Sequence, residues 1–177
     1  MTTIQDIFDT KEFPQRKEYS DLFELILSAK DQYEGEALSE QLAMIIESYK
    51  VNSLKIKDFP QAEKNQYSRS YIGRDYSGWE SIICRWEEGA NSSIHGHPDF
   101  VFYYVLEGKI EMPFYKKSKE GELILDRIQI LEKGEFVFSV GPEGKFENMI
   151  HAIKALEPSL SLHVFSDNAL KGEVYEV

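Results

Sequence analysis

The chain has 177 residues, of which 42% are apolar and 29% charged, the make-up of one folded domain with room for a real core. Twenty Lys and Arg (20) against 31 Asp and Glu leave a net charge of −11, which excludes general binding to nucleic acid or anionic lipid. The single cysteine, Cys84, excludes an internal disulfide and a cysteine-based zinc cluster.

No run approaches the roughly 18 consecutive apolar residues of a membrane span. The opening segment MTTIQDIFDTKEFPQRKEYS is mixed and acidic and lacks the apolar stretch of a signal peptide. These features lead to the expectation of a cytoplasmic enzyme or small-molecule binding protein. The domain is expected to run over residues 1–177, with a helical layer at 1–60 and a strand-rich part at 66–170. Nothing in the sequence fixes the oligomeric state.

Two helices are expected first. Ser20 is a candidate N-cap with Asp21 in the first turn, and Leu22, Leu25, Ile26 and Ala29 fall on one helical face. Leu38, Leu42, Ile45, Ile46 and Tyr49 define a second face, with the helix starting at Ser39 or Glu40 and Gly35 lying in the connection. Both read as packing faces.

After Tyr67 the character changes. Short runs rich in β-branched and aromatic residues (WESIICRW, FVFYYVL, KIEMPFY, ELILDRIQIL, EFVFSV, LSLHVFS) alternate with glycine-containing breaks. This is the pattern of an antiparallel sandwich or small barrel. Cys84, inside an apolar run, reads as a buried small hydrophobe. Lys116, Lys117 and Lys119 read as a solvated hairpin tip.

The four histidines, His95, His97, His151 and His163, all lie in this second part. His95 and His97 are two residues apart, so on a strand their imidazoles face the same side and can converge. His151 sits in the strand-like run MIHAI. Three neutral imidazoles suit zinc, copper, iron or nickel and leave coordination positions open. Without further context, His95 and His97 read as two surface polar residues on a loop edge.

The surrounding spacing supplies that context. Gly89, His95, His97, Val101 and Gly108 fall at the intervals of G-x5-H-x-H-x3-E-x6-G, and the segment resembles the first motif of the cupin superfamily, with Val101 where many cupins carry glutamate. Gly134, Pro142-Glu143-Gly144 and His151 follow in the order of the second cupin motif. Trp86-Glu87-Glu88-Gly89 before the histidine pair, Tyr67-Ser68-Arg69, and Ser161-Leu162-His163-Val164-Phe165-Ser166 together resemble the cysteine dioxygenase family of thiol dioxygenases, from about Tyr67 to Ser166.

The resemblance implies a mainly β, cupin-type antiparallel β-barrel, jelly-roll-like, with N-terminal helices packed on it. It further implies Fe(II) held by His95, His97 and His151, and a small carboxylated thiol, cysteine preferred, oxidised by dioxygen to its sulfinic acid. Neutral ligands leave the cation its full charge, which favours bound thiolate. Arg69 would clamp the substrate carboxylate with its planar fork. Tyr67 would assist that clamp or simply pack. Arg74 and Arg85 are less well placed for the same task. In the family the histidine at the position of His163 orients the tyrosine two positions on. Here His163, with Tyr67, is expected to act in catalysis by bonding a water or the substrate directly, with a satisfied core histidine as the alternative, and Phe165 is expected beside the substrate.

One departure matters. The family's tyrosine two positions after this histidine is Phe165 here, so a phenol expected beside the substrate is missing from that position. The expected crosslink partner, a cysteine after the His-x-His pair, is also absent. Alternative readings are a dioxygenase for another thiol such as 3-mercaptopropionate, another type of metal-dependent cupin enzyme, or a cupin that binds a small ligand without oxidising it.

Overall fold

The computed structural model describes residues 16–176. The expected leaderless start and the first part of the 1–60 layer lie outside these residues. A single 3-10 turn at Lys17–Tyr19 leads into helix α1 (Ser20–Lys30) and helix α2 (Gly35–Ser53). The strands follow: β1 (Tyr67–Arg74), β2 (Glu80–Trp86), β3 (Ile94–His97), β4 (Phe100–Glu107), β5 (Lys109–Lys117), β6 (Leu123–Glu132), β7 (Phe136–Val140), β8 (Asn148–His151), β9 (Lys154–Ala155), β10 (Ser159–Phe165) and β11 (Val174–Tyr175).

The helices differ in detail from the sequence expectation. Ser20 is the first helical residue rather than a side-chain cap. Phe23 is buried with Leu22, Ile26 and Ala29, whereas Leu25 is 48% exposed. The reason lies in β1, where Gly73 leaves the space that the Phe23 ring fills, with a Cβ at Gly73 falling 2.2 Å from that ring. Helix α2 begins at Gly35, four residues before Ser39, whose hydroxyl bonds back to the Glu36 carbonyl at 2.7 Å inside the helix. Leu38, Leu42 and Ile46 bury its apolar face, as the spacing predicts.

The strands form two antiparallel sheets. One has the order β1-β2-β10-β4-β7; the other runs β11-β3-β8-β5-β6, with β9 paired to β5. The two sheets face each other as a jelly-roll-like double sheet without a continuous hydrogen-bonded ring among the described residues. Strands β4 and β10 inside the five-stranded sheet are buried on both faces, which explains why FVFYYVL is apolar throughout rather than alternating.

Its alternation is still physical. Phe102, Tyr104 and Leu106 of β4 and Leu160, Leu162 and Val164 of β10 point to the helices. Val101, Tyr103 and Val105 point inward, where they meet Ile82, Cys84 and Trp86 of β2 and Ile110, Met112 and Phe114 of β5. Each strand therefore builds a stabilising layer on one face and the lining of the interior on the other.

Candidate metal centre

His95 and His97 lie on β3, and His151 is the cross-strand partner of His95 on β8. A bulge between His95 and His97 shifts the register there. Gly96 between them is required by close approach, since a Cβ would fall 2.4 Å from the Phe146 carbonyl oxygen. The three rings converge, with centroids 4.6 Å apart for His95 and His97, 5.1 Å for His95 and His151, and 4.7 Å for His97 and His151.

Main-chain carbonyls set the tautomer of each ring. His95 Nδ1–H donates to the Ser93 carbonyl at 2.8 Å. His151 Nδ1–H donates to the Met149 carbonyl at 2.9 Å. His97 Nδ1–H is shared between the carbonyls of Asn148 and Met149 at 3.2 and 3.1 Å. Met149, which serves two of the rings, sits in the left-handed region at φ 47°. A carbonyl can only accept, so each Nδ1 carries the proton and each Nε2 keeps a lone pair.

One ligand atom from each ring lies within 4.8 Å of the other two. His151 Nε2 is buried and has no hydrogen-bond partner. A buried nitrogen lone pair left unsatisfied is costly, and a cation at the meeting point of the three rings satisfies it. Burial, reinforced for His97 and His151 by the neighbouring imidazoles, pushes the pKa of these rings down and keeps them neutral. The donor set therefore fits a divalent metal.

The five-stranded sheet supplies the opposite wall of a small cavity of about 110 Å³ that His95 lines. Arg69 and Tyr67 of β1 both line it, with Arg69 Nη2 donating to the Tyr67 hydroxyl at 2.9 Å. Burial works against the Arg69 charge, but the surrounding Cys84, Tyr67, Tyr103 and Tyr71 outweigh it and raise its pKa. Tyr67 stacks on Trp86 with centroids 4.3 Å apart, which fixes the ring beneath the guanidinium.

Trp86 Nε1–H donates to Ser161 Oγ at 2.8 Å, and Ser161 Oγ lies 2.7 Å from His163 Nε2. The histidine faces the cavity at the end of this chain of bonds. Arg74 and Arg85 are placed otherwise. Arg74 Nη2 pairs with buried Glu80 at 2.5 Å, and Arg85 bonds Glu87 and the Phe59 carbonyl. Glu80 also accepts from the Ala169 N–H at 2.8 Å and thereby ties down the segment carrying Leu170 and Val174, which line the same cavity.

Among the lining residues that the sequence did not single out for the site, Cys84 and Tyr103 lie against its histidines. Cys84 is buried as expected, but it faces the cavity with its sulfur 3.8 Å from His163 Nδ1. Burial pushes its thiol up to about 12, so it stays protonated. The signal was β-pairing, since Cys84 lies opposite Ser161 across β2 and β10. The second is Tyr103, whose hydroxyl donates to His97 Nε2 at 2.7 Å. The phenol lacking at Phe165 is thus present in the site, from β4. Phe165 itself stacks on His97 with centroids 5.7 Å apart and planes 7° apart.

Two facing antiparallel sheets with three converging imidazoles between them define a three-histidine cupin. The chain belongs to the cysteine dioxygenase type I family, whose model matches residues 14–167. Cysteine dioxygenase type 1 of Bos taurus is 26% identical over 152 residues, covering 82% of this chain and 74% of the bovine one. The Rattus norvegicus protein of the same name is 25% identical over the same shares. A solved cupin superfamily protein from Desulfitobacterium hafniense superposes with a TM-score of 0.51 at 14% identity, covering 66% of this chain and 92% of its own. The chain is therefore a cysteine-dioxygenase-like oxidoreductase of the cupin fold. No helix among the described residues is long and apolar enough to cross a membrane.

Proposed function

We propose that the chain is an iron(II)-dependent thiol dioxygenase that oxidises a small carboxylated thiol, cysteine preferred, to its sulfinic acid. The observation that carries this reading is the orphaned Nε2 of His151 at the meeting point of three Nδ1-protonated rings, with Arg69 on the wall of the adjoining cavity. His95, His97 and His151 would hold the metal. When bound, that metal would offer open coordination positions to thiolate and dioxygen and would lower the thiol pKa.

The protein's own residues do the rest. Arg69 receives the carboxylate through paired N–H donors and is held in place by Tyr67. Trp86 and Ser161 orient His163 toward the cavity, where the imidazole can hold a proton beside the substrate. Ile82, Ile153, Leu170 and Val174 shed water from the cavity wall. Cys84, kept as a neutral thiol, does not compete for the metal.

The test is to load the protein with Fe(II) and follow oxygen uptake with cysteine and with 3-mercaptopropionate, identifying the product by mass. Uptake of one dioxygen per sulfinate formed supports the reading; tight thiol binding without uptake replaces it with a ligand-binding cupin. One observation favours 3-mercaptopropionate as a second reading. The residues that line the cavity include no carboxylate to offset an ammonium group, while Arg69 offers a positive charge to an acid. A higher kcat/KM for 3-mercaptopropionate than for cysteine would select it.

A further inference from the structure

Tyr103 occupies a position that its buried hydroxyl makes chemically demanding. The residue is 1% exposed, and its O–H is spent on Nε2 of His97 at 2.7 Å. That nitrogen is one of the three lone pairs aimed at the common point of the imidazoles. A lone pair that binds a metal cannot also accept a hydrogen bond. Metal loading would therefore release the Tyr103 O–H and leave a buried donor without an acceptor, which is unfavourable. The ring is already wedged against His163, with centroids 4.1 Å apart, and presents its edge geometry to His151 at 5.0 Å. The phenol lines the cavity that holds Arg69. An acceptor for it comes from what enters that cavity.

The position also explains Phe165. Tyr103 is the cross-strand partner of His163, and Val101 is the partner of Phe165, so the two aromatic residues lie diagonally on one face of neighbouring strands. Their rings stand 5.8 Å apart at 83°. Both rings stand with their centroids 5.7 Å from that of His97.

We propose that the Tyr103 O–H donates to the bound thiol acid beside the three histidines. Tyr103 is thus a substrate-contacting residue, with Phe165 its diagonal neighbour on the same face. The inference rests on the thiol-dioxygenase reading only for its choice of substrate.

The test uses zinc-loaded protein, in which binding is read without turnover, and 3-mercaptopropionate as the probe in titration calorimetry. Tyr103→Phe should weaken binding roughly 10-fold, the size of one hydrogen bond to a charged acceptor, with zinc stoichiometry unchanged. Adding Phe165→Tyr to that variant should return the affinity to within about 3-fold of the starting protein, since the hydroxyl is restored across the strand pair. Unchanged affinity in Tyr103→Phe, or no recovery in the double variant, overturns the proposal. So does a visible phenolate-to-ferric band in the iron-loaded protein that disappears in Tyr103→Phe, because Tyr103 is then a ligand. Oxygen uptake separates this result from the functional reading. If iron-loaded protein consumes no oxygen with either thiol while the calorimetric pattern holds, the dioxygenase falls and Tyr103 stands.

Discussion

The two walls of the interior are ordered by different means. On the β3–β8 wall, His95, His97 and His151 are fixed by Nδ1–H bonds to main-chain carbonyls. On the opposite wall, Arg69, Tyr67, Trp86, Ser161, His163 and Tyr103 fix one another through side-chain bonds and ring contacts. A side chain held by backbone keeps its geometry as long as the fold persists. One held by neighbouring side chains changes with any single substitution among them. Under the proposed function, the histidine wall would fix the reaction class and the opposite wall would be the freer to change specificity.

Substitutions should separate the walls, starting with the largest effect. His151→Ala should reduce metal affinity by more than the roughly 10–100-fold cost of losing a supporting bond, read by equilibrium dialysis, because a ligand itself is removed. Arg69→Ala should leave metal content intact and raise KM for the thiol acid by roughly 100-fold, the worth of paired charged hydrogen bonds. Equal loss of metal in both variants would erase the distinction between the walls. Leu162→Ala, on the helix-facing side of β10 and fully buried, should cost about 2–5 kcal/mol in denaturant unfolding with metal stoichiometry unchanged. Ser161→Ala, one residue away but facing inward, leaves the Trp86 N–H without its acceptor and should cost about 1–3 kcal/mol, with kcat falling more than KM changes.

A pH series sharpens the same contrast. Burial holds His97, His151 and His163 well below the ordinary value of 6.5. The unfolded chain takes up protons near that value while the folded chain does not. Stability of metal-stripped protein is therefore complete above pH 6.5 and falls as the pH drops below it, by up to about 1.4 kcal/mol per pH unit for each histidine. Thermal midpoints measured from pH 7 to pH 5, with and without bound zinc, check the sign. A flat profile for the metal-stripped protein would show that these rings are not buried neutral.

Much of the metal wall was legible in the sequence because it depends on local rules. The i, i+2 period of a strand places His95 and His97 on one face, and the cupin-like spacing adds His151 to them; the close approach that requires Gly96 shows only in the fold. The helix faces were legible for the same reason, although packing against Gly73 exchanged Leu25 for Phe23. The substrate wall was read only in part. Tyr67 and Arg69 could be picked out because Tyr67-Ser68-Arg69 resembles the family's Tyr-x-Arg; by itself Arg69 reads as an ordinary surface arginine. Tyr103 and Cys84 reach the cavity through strand pairing over 60 and 77 residues from their partners His163 and Ser161, and no local pattern encodes that register. FVFYYVL, apolar on both faces, offers no alternation from which the inward set could be chosen.

The most direct test of three imidazoles meeting beside a thiol-acid pocket is X-ray absorption at the iron edge of iron(II)-loaded protein, before and after adding 3-mercaptopropionate. The account predicts multiple-scattering features of imidazole ligands in the resting protein and a sulfur scatterer added by the thiol acid, with the sulfur lost in Arg69→Ala at the same thiol concentration. A spectrum without imidazole scattering, or one that gains no sulfur, would contradict it.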